Sequence, residues 1–330
     1  MRIVVAPDKF RGTTDAAGAG AALAAGLEAA GHRVVVIPMA DGGEGTLDAL
    51  GGANRTTTVS GPLGDLVDAP WRMTGSTAVI EMATASGLLL AGGAEGNDPV
   101  AASTFGSGEL LLDAVEKGAR KVVVGLGGSA TTDGGLGALR AMYPLQRFKG
   151  VDLTVACDVQ TRFVDAARVF APQKGAGPAQ VELLERRLAA LVDVYLTDYG
   201  VDVSEVPGGG AAGGLAGGLL CAGARLVPGV ELVGDLVGLG DAIEEAELVV
   251  TGEGLLDVES FDGKVVGGVA ALALDLGVPV VAVVGAVDAD GLDEVLPDGL
   301  TVVSLTERFG AQRSLEDVAG CLREVAESLA

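Results

Sequence analysis

Hydrophobic and polar positions follow one pattern at the two ends of the chain and another in the middle. Residues 2–6 form an apolar run, 16–30 are alanine-rich, and 33–39 are a second Val/Ile run. Thr14 or Asp15 can cap the central segment and Gly31 can stop it, so the stretch predicts strand, helix, strand. A helix between two apolar strands is the βαβ unit of a parallel sheet covered on both faces. A further helix is predicted to begin at 46–50.

Beyond residue 55 the runs shorten. Residues 56–60, 67–73 and 77–82 are β-branched and separated by Gly-Pro-Leu-Gly-Asp and Thr-Gly-Ser, the pattern of an antiparallel meander. A helix over 106–118, a strand over 121–125, a glycine loop over 125–137 entering a helix, a strand over 151–159 and a long helix over 179–199 follow. Residues 207–218 hold the densest glycine stretch. Clean alternation then returns, with strands at 248–251, 278–285 and 301–305, a helix at 263–276, and an amphipathic helix at 314–329 capped by Ser314. Because the ends share one style, residues 1–60 plus 245–330 are expected to form a discontinuous α/β domain, with 61–244 inserted as a mixed α/β domain.

The chain has 330 residues, 49% apolar, with 22 basic and 45 acidic side chains, a net charge of −23. That composition supports a buried core and excludes disorder. Its sign opposes binding to a nucleic acid, and no basic patch with interleaved aromatics occurs. The longest apolar tract, 278–287, contains Pro279 and Gly285 and is far too short for a bilayer. Cys157, Cys221 and Cys321 are odd in number and widely spaced, which suits a reducing cytoplasm rather than a disulfide framework.

Several motifs carry candidate chemistry. Gly125-Leu-Gly-Gly-Ser-Ala-Thr-Thr-Asp-Gly-Gly135 leads from a strand into a helix, where backbone N–H groups and hydroxyls favour an anion. The competing reading is a turn that needs glycine for packing. Gly125-x-Gly-x-x-Ala130 and Gly208-x-Gly210-x-x-Gly213 formally match a dinucleotide fingerprint, but the nearest strand-end acid after the first is Asp158, 33 residues on. No Walker A loop is present, since Gly263-Lys264 is followed by Val265. Asp41-Gly-Gly-Glu44-Gly and Thr251-Gly-Glu253-Gly…Asp257 place paired carboxylates after apolar strands, an arrangement that suits magnesium, though Asp and Gly also simply form turns. Lys9, Lys174 and Lys264 lie in loops or at a helix start, where each can meet a phosphate or stay solvated. His32 is the only histidine and sits in a turn, so general-base work falls to a carboxylate.

Together these motifs resemble the bacterial glycerate kinase family. The matching segments are Ala6-Pro-Asp-Lys-Phe10, Ala40-Asp-Gly-Gly-Glu-Gly-Thr46, Gly61-Pro-Leu-Gly64, Ile80-Glu-Met-Ala83, Ser86-Gly-Leu88 and Gly127-Gly-Ser-Ala-Thr-Thr-Asp-Gly-Gly135. Ala156-Cys-Asp-Val159, Pro172-Gln-Lys-Gly-Ala176, Gly208-Gly-Gly-Ala-Ala-Gly-Gly214 and Thr251-Gly-Glu-Gly254…Asp257…Gly263-Lys264 continue the series in family order. The resemblance implies ATP- and magnesium-dependent phosphorylation of D-glycerate to 2-phosphoglycerate, on a Rossmann-like parallel-sheet domain and an inserted α/β domain with the active site in the cleft between them. The chain departs from the pattern in four places. The segment 139–151 is shorter, Gln160-Thr161 follows Val159 where Asn-Pro is usual, Leu255 stands where an arginine is frequent, and Glu259-Ser260 stands where Gln-Thr or Gln-Ser is common.

On this reading Lys9 and Lys174 neutralise charge on the phosphoryl group or the substrate carboxylate, and Asp41 or Asp158 accepts the hydroxyl proton. Gly127, Gly128, Ser129, Thr131, Thr132, Gly208, Gly209, Gly210 and Lys264 bind nucleotide or substrate. Asp133, Glu253 or Asp257 ligates magnesium. The partners are ATP and D-glycerate, with no nucleic acid and no membrane, in the cytoplasm. A nicotinamide-dependent oxidoreductase of a small hydroxy acid, or a non-catalytic sugar-acid sensor, are the rival readings.

Overall fold

A computed structural model describes residues 1–329. The strands are β1 (Arg2–Val5), β2 (Arg33–Val36), β3 (Arg55–Ser60), β4 (Leu66–Thr74), β5 (Thr77–Glu81) and β6 (Lys121–Gly125). They continue with β7 (Asp152–Ala156), β8 (Arg225–Val227), β9 (Leu248–Leu256), β10 (Val280–Val287) and β11 (Leu300–Ser304). The chain divides into two compact α/β units. One is Met1–Asp41, Asp48–Gly51 and Pro228–Ala330; the other is Gly42–Leu47 and Gly52–Val227.

The first unit carries a wholly parallel sheet in the order β11-β10-β9-β1-β2. Counting its strands in chain order, this is the 2-1-3-4-5 arrangement of a doubly wound sheet, whose topological switch point lies between β1 and β9. The helix Ala16–Ala29 begins where Asp15 accepts the Gly18 N–H at 2.7 Å, as the sequence predicts. That helix and Val318–Glu327 cover one face, through Leu23, Leu27, Leu322 and Val325 on Ile3 and Val5. Gly229–Val237 and Val265–Asp275 cover the other, through Val230, Val233, Val266 and Val269 on Val4 and Val249. β2 is an edge strand with Val36 37% exposed, so the expectation of full burial on both faces fails there.

The second unit carries a mixed sheet in the order β3-β4-β5-β6-β7-β8. β3, β4 and β5 form the predicted antiparallel meander, and β5 through β8 run parallel. Trp71, Ile80, Leu110 and Leu215 centre its core. A second cluster joins Phe163, Leu184, Leu188 and Tyr195 beneath the long helix Pro178–Tyr199.

Two sequence expectations need correction, on the unit boundaries and on Ser314. The unit boundaries do not fall at 60/61 and 244/245. β3 hydrogen-bonds to β4 and so belongs to the second unit, while Val230 and Val233 pack with Met39 and Val266 in the first. Ser314 does not cap a single terminal helix. It lies inside Ala311–Glu316, bonded to the carbonyls of Gly310 and Ala311, and Asp317 caps the separate helix Val318–Glu327 by accepting from the Gly320 N–H. The glycine stretch 207–218 includes a helix, Ala211–Leu220, whose first turn holds Ala212, Gly213 and Gly214 in left-handed backbone.

Candidate active site

In the first unit the candidate residues gather at the sheet's switch point. The chain after β1 runs on alongside β9, the Ala6 N–H donating to Val250 O and the Asp8 N–H to Gly252 O at 2.8 Å, and Asp8 Oδ1 accepts the Lys9 N–H at 2.7 Å. β9 runs on through Gly252-Glu253-Gly254 to Leu256, paired with β10 along its length, so Glu253 stands on a strand rather than on the expected turn. Glycine allows this, because a Cβ on Gly252 would lie 2.0 Å from Val283 O.

Glu253 is 9% exposed and its Oε1 is buried without a hydrogen-bond partner. Burial, reinforced by the charges of Asp8 and Asp257, pushes its carboxyl up to about 7 against a bond from Ser260 and the charge of Lys264. Burial likewise raises Asp8 to about 6; the Lys9 N–H opposes the rise and the neighbouring Asp41 charge adds to it. Asp8 was not singled out from the sequence. Its position after the first strand of a parallel sheet was the available signal, and only the pairing of β1 with β9 sets it beside Glu253.

The other candidates of this unit are placed differently. Asp257 caps the short 3₁₀ turn Val258–Phe261, its Oδ1 accepting from Ser260 N–H and Oγ. Lys264 pairs with Glu259 at 3.0 Å, both side chains partly solvated, a geometry worth little on its own. Leu255 is 49% exposed.

In the second unit two motifs distant in sequence meet backbone to backbone. The Leu126 N–H donates to Gly42 O at 3.2 Å, and a Cβ on Gly127 would lie 2.9 Å from Glu44 N. Glu81, at the end of β5, fixes that turn by accepting from the Gly45 N–H at 3.1 Å and the Leu47 N–H at 2.8 Å. Gly128 is exposed, and its carbonyl accepts from Leu88 N–H at 2.8 Å. Ser129, half-buried, bridges to Gly87.

Thr131, Thr132 and Lys174 are buried, Lys174 to 2% exposure. Lys174 Nζ donates to Thr131 O at 2.6 Å. Burial holds its ammonium down to about 7, against the charge of Asp133. The Thr131 and Thr132 hydroxyls and Asn97 Oδ1 are buried and unpartnered. Asp158 lies half-buried just beyond β7.

The geometry removes two groups of sequence candidates. Asp133 spends its carboxylate on the chain itself: it accepts from Thr104 N–H and Oγ1 at 2.9 Å, from Gly135 N–H at 3.1 Å and from Gly137 N–H at 3.2 Å. These bonds tie down the entry to the helix Leu136–Met142, so the Asp133 oxygens are already shared with donors of the chain. Gly208, Gly209 and Gly210 do not cradle an anion. The Gly209 N–H donates to Val206 O and the Gly210 N–H to Thr161 O, while a Cβ on Gly208 would lie 2.7 Å from Cys157 Sγ. The glycines of this stretch pack. Gly213 is the clearest case, left-handed at φ 66° and so close that a Cβ would lie 2.0 Å from Thr131 O. The second fingerprint match therefore lies where the Gly209 and Gly210 amides are already taken, which removes its support for a nicotinamide site.

Among the described residues no three acidic, cysteine or histidine side chains form a metal cage, and no helix is long and apolar enough to cross a membrane. A magnesium ion needs less, since it takes one or two carboxylates plus phosphate oxygens and water. The buried, unpartnered Oε1 of Glu253 beside Asp8 fits that demand.

Comparison with known proteins agrees with the motif order. The glycerate kinase family model matches residues 3–143 and 144–330, breaking inside the segment 139–151 where the chain reads short. A glycerate kinase of Halalkalibacterium halodurans is 37% identical over 99% of this chain and 97% of its own length. The glycerate 2-kinase of Escherichia coli K12 is 36% identical over 100% and 98%. A crystal structure assigned to glycerate kinase 2 of Salmonella typhimurium LT2 superposes with a TM-score of 0.85 at 33% identity, covering 100% of this chain and 98% of that one. With the motifs in family order from residue 6 to residue 264 and the match running through both units, this chain belongs to the glycerate kinase family.

Proposed function

We propose that this kinase transfers the γ-phosphoryl group of ATP to a hydroxyl of D-glycerate, giving 2-phosphoglycerate, in the cytoplasm. The observation that carries the reading is full-length similarity to a glycerate 2-kinase, with the family's Asp-Lys, Asp-Gly-Gly-Glu-Gly and Gly-Glu-Gly motifs intact. A carboxylate pair at the switch point of a parallel sheet supports it physically, since ligands of such sheets collect at that edge.

Glu253 and Asp8 would hold magnesium, in place of Asp133, whose oxygens are shared with donors of the chain, and of Asp257, whose Oδ1 is taken up by Ser260. Bound there, the ion supplies charge neutralisation on the phosphate oxygens. Lys9 adds a second positive charge beside the same edge. Asp41 or Asp158 accepts the proton of the attacking hydroxyl, the role left to a carboxylate when the only histidine, His32, sits half-buried against the chain's amino terminus. Gly127, Gly128 and Ser129 lie on the half-open turn against residues 42–45 and contact nucleotide; Thr131, Thr132 and Lys174 serve the second substrate. Phosphoryl transfer relies on positioning and charge, so no covalent step is asked of the protein.

The test is ADP release with Mg-ATP, with and without D-glycerate, followed by identification of the phosphorylated position. Release that depends on D-glycerate and yields the 2-phosphate is expected. Saturable glycerate binding by folded protein without ADP release would replace this reading with that of a sensor.

A further inference from the structure

Inside the second unit, three segments are tied together by one side-chain amide. Asn97 Nδ2 donates to Ala130 O at 3.0 Å and to Lys174 O at 2.9 Å, and Lys174 Nζ donates to Thr131 O at 2.6 Å. With its nitrogen fixed by two carbonyls, the Asn97 amide must present its oxygen as an acceptor. That oxygen is buried and unpartnered, and so are the hydroxyls of Thr131 and Thr132, residues exposed by 0% and 1%. An ammonium has three N–H donors, and Lys174 uses one on Thr131 O. Native proteins leave few buried polar groups unsatisfied, and a cluster of them at one knot marks a place where something else completes the bonds.

The inventory specifies the chemistry of the missing partner. Two ammonium N–H groups and two hydroxyls donate, which suits a carboxylate. One amide oxygen accepts, which a fully ionised phosphate cannot satisfy but an alcohol can. We propose that this knot is the acceptor-substrate subsite, in which Lys174, Thr131 and Thr132 take the carboxylate of D-glycerate and Asn97 Oδ1 takes the hydrogen of its 3-hydroxyl, leaving the 2-hydroxyl proton to Asp41 or Asp158. This rests on the reading of the protein as a glycerate kinase and adds Asn97 to it as a substrate-binding residue. Ala212 is held left-handed at φ 52°, and the adjoining Gly213 comes so close that a Cβ on it would lie 2.0 Å from Thr131 O; a strained residue beside ligand groups is a recurrent feature of binding sites.

Thr132 gives a clean test because valine has its shape without the hydroxyl. The protein is titrated with D-glycerate by calorimetry, with a non-hydrolysable ATP analogue and magnesium present. Thr132→Val is expected to weaken D-glycerate binding about tenfold or more, as loss of a hydrogen bond to a charged group does. ATP-analogue affinity should stay within about twofold, and the melting temperature should not fall, since an unpartnered hydroxyl has been removed. Thr132→Ser should restore binding, and Asn97→Asp should weaken it by placing a negative charge at the substrate hydroxyl. Unchanged glycerate affinity in Thr132→Val, a loss confined to the nucleotide, or no glycerate binding by the wild type would each overturn the subsite. Glycerate binding that is lost in Thr132→Val, in a protein that releases no ADP, would uphold the subsite and sink the kinase reading; normal turnover with unaltered glycerate affinity would do the reverse.

Discussion

The two units bury opposite charges. The first takes Asp8 and Glu253 out of water at the edge of a parallel sheet, where Glu253 Oε1 has no partner. The second takes Lys174 out of water and gives its ammonium a backbone carbonyl. Either arrangement is costly unless a ligand of the opposite charge completes it. A cation and a small organic anion are the two things that a glycerate kinase must gather besides the nucleotide, and the difference between the units divides them.

The strongest way to break this contrast is to neutralise one side at a time. Glu253→Gln should lower turnover on the order of a hundredfold or more and weaken Mn²⁺ binding followed by electron paramagnetic resonance, while the protein stays folded. Near-normal turnover together with intact Mn²⁺ binding would take the acid pair out of the site. Lys174→Met should depress turnover by about a hundredfold while leaving the melting temperature unchanged or higher, because a desolvated ammonium is removed. A marked fall in melting temperature would make Lys174 a structural tie instead.

A smaller effect separates site from scaffold. Glu81→Ala removes the acceptor of the Gly45 and Leu47 N–H groups and should cost about 1–3 kcal/mol for each amide left unsatisfied, read by urea unfolding. The pH dependence of stability sharpens the comparison through its sign. Lys174 has its folded value lowered from 10.5 to about 7, so the unfolded chain binds the extra proton between those values and stability gains with rising pH across that window. In metal-free protein Asp8 and Glu253 act oppositely. Their folded values are raised from 3.8 and 4.5 to about 6 and 7, so the folded chain holds the extra protons and stability falls as pH rises from about 4 to about 7. Unfolding curves of the wild type against Lys174→Met, between pH 7 and 10, should therefore converge as pH rises. The smallest effect belongs to the scaffold alone: Asp317→Ala at an exposed helix start should cost about 1 kcal/mol with turnover unchanged.

Much of the layout is legible from the chain. The opening βαβ unit, the meander over β3–β5 and the long helix Pro178–Tyr199 follow from local periodicity, because the residues that form each element also define its boundaries. Local pattern misleads where a distant partner decides. Gly252-Glu253-Gly254 has the composition of a turn, yet β10 extends alongside and keeps it a strand. Asp133 sits in a phosphate-like loop, yet Thr104 and two glycine amides claim its oxygens. Gly208–Gly210 look like a cradle, yet Cys157, Thr161 and Arg162 occupy the space.

The amino-acid sequence by itself determined the opening βαβ unit, the meander, the long helix, the discontinuous α/β organisation and the motif series that identifies the family, since each is carried by neighbours within a few residues or by motif order. Tertiary structure alone decided which acids and hydroxyls remain uncommitted. Whether a carboxylate is free to meet a ligand depends on the donors that the fold brings to it, and those donors come from elsewhere in the chain: Thr104 reaches Asp133, whereas none reaches Glu253 Oε1.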